Sequence, residues 1–157
     1  MTARGSHVPF WPGMPTARAI AADAGAHGVG TQHVLLALLR RRAADAVAVL
    51  DAGGVDEGAV AAALGAVAGT GCRTGAVPTE RVTVSPRVLA LVRAAGRPDG
   101  GTGPVSDLQL LRALLADNEP SLARLLLSSL GALRRIDRAL QDATVRVDDT
   151  SGGLVDA

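Results

Sequence analysis

The sequence predicts an all-α protein in which two matched four-helix repeats pack as one eight-helix body. Three observations carry this. Apolar residues make up 48% of the 157 residues, yet the only aromatics are Phe10 and Trp11. A core of Ala, Val and Leu suits closely packed helices better than a sheet built from aromatic and β-branched residues. Between Gly and Pro breaks, apolar positions recur at helical spacing. Finally, the stripe Val34, Leu35, Ala37, Leu38 and Leu39 returns 76 positions later as Leu110, Leu111, Ala113, Leu114 and Leu115. Val60 and Leu64 return at the same offset as Ile136 and Leu140, and Arg18 and Ile20 return as Arg87 and Leu89 at an offset of 69. A recurring order of elements marks a repeat. Each unit alone would have a thin core, so the two are expected to pack together.

The elements are taken in chain order. Residues 1–14, with Gly5, Pro9, Pro12 and Gly13, read as an irregular arm. Pro15 suits the first turn of a helix running to about Ala26, ended by Gly28-Val29-Gly30. Thr31 is an expected N-cap for the second helix, whose last turn holds Arg40-Arg41-Arg42, where cations complement the helix dipole. A third helix, about Ala43 to Ala52, stops at Gly53-Gly54, and Asp56 can cap a fourth, with Val60 and Leu64 inward. The first repeat thus spans 15–65. Residues 66–84, with Gly69, Gly71, Gly75 and Pro78, read as a linker. Ser85-Pro86 starts the fifth helix, with Val88, Leu89 and Val92 on its stripe. Ser106 caps a sixth carrying Leu108, Leu111, Leu114 and Leu115. Pro120 opens a seventh with Leu122, Leu125 and Leu126, closed by Gly131, and the eighth carries Leu133, Ile136 and Leu140. The second repeat spans 85–144, and residues 145–157 read as a polar, frayed tail.

Composition excludes several chemistries. All 16 basic residues are Arg. Without Lys there is no P-loop and no Schiff base, so neither an ATPase engine nor an aldolase-type site fits this chain. A net charge of +1 gives no electrostatic footprint for nucleic acid. Cys72 is the single cysteine, so no internal disulfide forms, and a reducing, cytoplasmic setting is expected. His7, His27 and His33 lack metal-ligand spacing, so no metal and no cofactor is expected. No stretch is long and apolar enough for a membrane helix. The signature motifs of hydrolases and metalloproteases do not occur, and only three Glu are available for acid–base work, so the chain is not expected to be an enzyme.

The segment Gly30-Thr31-Gln32-His33-Val34-Leu35-Leu36-Ala37-Leu38-Leu39 resembles the Gly-Thr-Glu-His-Leu-Leu-Leu-Gly-Leu-Leu signature of the Clp N-terminal (Clp repeat) domain. Leu50, Gly54, Val55 and Asp56 resemble the stretch next along the chain in that family, and Ser106-Asp107-Leu108-Gln109-Leu110-Leu111 resembles its second-repeat version. The resemblance covers roughly Pro15 to Leu140. It implies a pseudo-twofold eight-helix domain that receives substrates and adaptor proteins for Clp-type AAA+ unfoldases. In family members of the ClpC kind, the motif glutamate holds phosphoarginine-marked substrates. Here Gln32 stands at that position and Leu108 at its second-repeat counterpart.

The expectation is therefore a stand-alone binding module for degradation substrates, adaptors or peptides, with a Clp-type AAA+ unfoldase among its partners. The alternative is a peptide- or small-molecule-sequestering protein unconnected to proteolysis. The candidate ligand-binding residues are Thr31, Gln32 and His33 at one helix start, where free N–H groups favour anions, and Ser106, Asp107 and Leu108 at the other. The plainer reading is that Thr31 caps its helix and His33 satisfies a nearby backbone group. Arg40-Arg41-Arg42 reads as a solvated helix end, Cys72 as an unreactive loop thiol, and Gly100 to Gly103 as a flexible connector.

Overall fold

The computed structural model describes residues 10–68, 75–96, 103–116 and 120–151. The protein is all-α. Helix α1 spans Met14–Asp23, α2 Thr31–Arg41, α3 Ala44–Ala52 and α4 Glu57–Ala68. Helix α5 spans Pro86–Gly96, α6 Asp107–Ala116, α7 Leu122–Ser129 and α8 Leu133–Ser151. A 3-10 turn, Thr79–Arg81, precedes the short strand β2 (Thr83–Val84), which pairs in parallel with β1 (Gly28–Val29), Gly28 opposite Thr83 and Val29 opposite Val84. This small ribbon ties the connector before α5 to the chain ahead of α2.

The expected helix starts hold where the cap is local. The Asp56 carboxylate accepts from Ala59 N–H at 2.7 Å, and the Ser85 hydroxyl from Val88 N–H at 3.3 Å. Ser106 and Gln109 form a full capping box: the Ser106 hydroxyl accepts from Gln109 N–H at 3.1 Å, and the Gln109 carboxamide oxygen accepts from Ser106 N–H at 2.9 Å. The helix ends at Gly54 and Gly131 also hold. Both have positive φ (70° and 66°), which lets the residue after each, Val55 and Ala132, donate back to Leu50 and Leu127.

Several boundaries differ from the sequence reading. Helix α1 begins at Met14 and stops at Asp23, because the chain turns at Gly25 and Ala26 N–H bonds back to Ala21. The N-cap of α2 is Gly30, and Thr31 is already helical. The cap of α7 is Ser121, whose hydroxyl accepts from Arg124 N–H, so Pro120 lies one residue ahead of the cap. Helix α4 runs past Gly65 to Ala68, and the connector after it holds a turn and a strand. Helix α8 continues through Val145 to Ser151, so the expected frayed tail is helical that far. Residues 1–9 of the expected arm lie outside the described residues, and its last part is anchored: Trp11 is only 2% exposed and Phe10 carbonyl accepts from Val105 N–H at 2.8 Å.

One hydrophobic cluster draws residues from all eight helices. Val34, Leu35, Leu38 and their counterparts Leu110, Leu111 and Leu114 are all essentially inaccessible, as are Val60 and Ile136. The fifth-helix stripe is displaced from the expected one. Leu89 is exposed and Leu91 is buried in its place; in α7, Leu125 is exposed while Leu127 is buried. Helix α1 packs on α2 and α5 on α6; α2 packs on α7 and α3 on α6; α3 packs on α8 and α4 on α7; and α2 and α6 meet each other. The two stretches read as separate repeats therefore share one interior.

Candidate functional site

The motif at the start of α2 is mostly internal structure. Thr31 is buried, and its hydroxyl accepts from Ala123 N–H at 3.2 Å, so it satisfies an orphan donor in the first turn of α7. His33 is buried, and its Nδ1 accepts from Gly30 N–H at 2.9 Å, as the plainer reading of this histidine has it. Burial pushes its pKa below the usual histidine value, because the charged ring is poorly solvated there. Gln32 is half-exposed, and its carboxamide lies back over Gly30.

The matching residues at the start of α6 behave alike. Ser106 is exposed and spent on the capping box with Gln109. Leu108 is half-buried against the core. Asp107 is buried, and its carboxylate is fully engaged. It accepts from the Trp11 indole N–H at 2.8 Å and from Arg41 Nε at 3.0 and 3.2 Å. Thr31 and Arg41 occupy opposite ends of α2, ten residues or about 15 Å apart along its axis. Thr31 contacts α7 at one end, while Asp107 meets α2 at the other. Gln32, Leu108 and Ser106 are the candidate residues with side-chain surface open to a ligand.

All three consecutive arginines are exposed, as a solvated helix end requires, but two of them also hold carboxylates. Arg40 pairs with Glu57 at 2.7 Å, and Arg41 holds Asp107 with its guanidinium 6.0 Å from the Trp11 ring centre. Arg42 is exposed, in a left-handed conformation at φ 54°. A small depression of about 90 Å³ lies beside it, lined by Leu39, Arg42, Val47, Asp51, Val55 and Asp56 and by the Arg40–Glu57 pair. Among the described residues no group of His, Cys, Asp and Glu could hold a metal ion, and no helix is long and apolar enough to cross a membrane. Cys72 and residues 100–102 lie outside the described residues.

The sequence reading missed Trp11 and the role of Arg41. A signal was present: the one indole in a chain this poor in aromatics is the largest side chain available to the core, and its N–H needs an acceptor once buried. The comparisons with known proteins leave the chain on its own terms: no family model and no curated protein sequence matches it.

Proposed function

We propose that this protein is a docking module of the Clp-repeat kind, which engages protein substrates, adaptors or peptides and has no ATPase activity of its own. The observation that carries this reading is the pair of motif helices. Helices α2 and α6 bear the matched stripes, start with equivalent backbone contacts at His33 and Gln109, and sit together at the centre of an all-α core. The packing of α1 on α2 recurs as α5 on α6, and that of α2 on α7 as α6 on α3, as a pseudo-twofold arrangement requires. These residues contain no Lys for a nucleotide-binding loop, in keeping with a docking role rather than an ATPase one.

In this reading the polar surface at Gln32 and the mixed apolar–polar surface at Ser106 and Leu108 face the ligand. A neutral carboxamide and a leucine make that surface a poor receptor for a guanidinium and a better one for an uncharged or apolar peptide. The test is direct binding to a purified Clp-type AAA+ unfoldase, by calorimetry, together with degradation of an unfolded model client in its presence. Saturable binding with a changed degradation rate supports the reading. Neither binding nor a rate change, at protein concentrations of about 100 μM, would reject it.

A further inference from the structure

We propose that the start of α6 is a receptor for an extended, tryptophan-bearing segment, filled here in cis by residues 10–13 of the same chain. When that arm leaves, the receptor accepts such a segment in trans. This rests on the geometry around Asp107 and not on the Clp-repeat reading. The receptor offers the two kinds of contact that peptide recognition uses, a main-chain bond for affinity and a side-chain pocket for specificity. Val105 N–H donates to Phe10 carbonyl at 2.8 Å, a bond that any residue at that position can make. The pocket takes the Trp11 indole, whose N–H reaches Asp107 at 2.8 Å. The two adjacent aromatics are treated oppositely, Trp11 being 2% exposed and Phe10 59%. Gly13 completes the fit, since a Cβ there would collide with the indole ring and approach Arg41 Cδ to 2.7 Å.

Asp107 is what makes the occupant exchangeable. A buried carboxylate stripped of its partner is strongly destabilising, but Asp107 has a second partner besides the indole: Arg41 Nε reaches both of its oxygens, at 3.0 and 3.2 Å. Departure of the arm therefore costs the Val105–Phe10 and Trp11–Asp107 hydrogen bonds and the burial of one side chain, and strands no charge. An indole supplies the N–H that Asp107 accepts; a phenyl ring of similar shape does not, so the pocket selects tryptophan over phenylalanine by roughly tenfold or more.

Trp11 is the only tryptophan, so its variant is optically silent at indole wavelengths. The full-length Trp11→Ala protein is titrated with a synthetic peptide of residues 8–15, whose indole is then the sole one in the sample. The expected result is a saturable blue shift of the peptide emission, with a competing peptide carrying Phe at position 11 at least tenfold weaker. A helical Trp11→Ala protein that gives no shift at millimolar peptide, or equal competition by the Phe peptide, overturns the proposal. Should that variant fail to fold, the wild-type protein decides. Its single indole N–H is expected to exchange with solvent by a local opening that is insensitive to low urea. Exchange with the same urea dependence as the core amides overturns the proposal.

Discussion

His33 and Gln109, 76 positions apart, perform the same contact: each sits in the first turn of its helix and accepts a hydrogen bond from the backbone N–H of the residue that caps it, Gly30 and Ser106 respectively, at 2.9 Å. One uses an imidazole nitrogen and the other a carboxamide oxygen. The difference has a consequence, because only the imidazole can lose its acceptor by taking up a proton.

Stability should therefore fall on acidification through His33. Its pKa is lowered in the folded state by burial, so the unfolded chain binds the proton more readily. The contribution is fully present above the unfolded value of about 6.5 and is lost as pH falls from there through the lower folded value. His33→Gln keeps the acceptor, as Gln109 does, and removes the titration. Urea midpoints of wild type and variant compared between pH 7.5 and 5.5 should show a smaller acid loss for the variant; parallel losses would assign the effect elsewhere.

Burial ranks the Arg41–Asp107 pair above the Arg40–Glu57 pair. Asp107→Ala leaves the Arg41 guanidinium and the Trp11 indole without their acceptor, and should cost about 3 kcal/mol. Arg40→Ala removes a pair in which both side chains are nearly half exposed, and should cost under about 1 kcal/mol. Urea denaturation of both variants measures the ratio.

Cooperativity tests the shared interior. Leu38 and Leu114 are fully buried in one cluster, so Leu38→Ala and Leu114→Ala should each cost about 2–5 kcal/mol. Both variants should unfold in one transition, with circular dichroism and Trp11 fluorescence coincident. Two separated transitions would mean that residues 15–65 and 85–140 unfold independently.

Ligand charge tests the docking proposal. Free phosphoarginine should bind the wild type weakly, with no calorimetric signal near micromolar concentrations. Gln32→Glu combined with Leu108→Glu should raise the affinity about 10- to 100-fold, as charge-assisted bonds to a guanidinium are gained. Tight wild-type binding, or a folded double variant with no gain, contradicts the proposed role of these two positions.

Much of the architecture was legible because its causes are local. Asp56, Ser85 and Ser106 cap helices through atoms three residues away, and Gly54 and Gly131 end them by a backbone angle that glycine adopts without cost. The matched stripes on α2 and α6 are buried as expected because one apolar face per helix has few ways to leave water. The faces of α5 and α7 were less legible. Their sequences offer leucines on neighbouring arcs, so the spacing alone did not choose Leu91 over Leu89, or Leu127 over Leu125.

The candidate site divides the same way. The sequence by itself determined which residues stand at the two motif helix starts, that Gln32 and Leu108 replace a carboxylate, and that no Lys is present for nucleotide chemistry. Only the tertiary structure decided that Thr31 serves α7, that Asp107 is spent on Arg41 and Trp11, and that Trp11 is buried. Those bonds join residues 92, 66 and 96 positions apart. Whether a carboxylate or a hydroxyl meets a ligand or a partner within the chain depends on which distant element folds against it, and contacts of that range leave no periodicity or spacing to read.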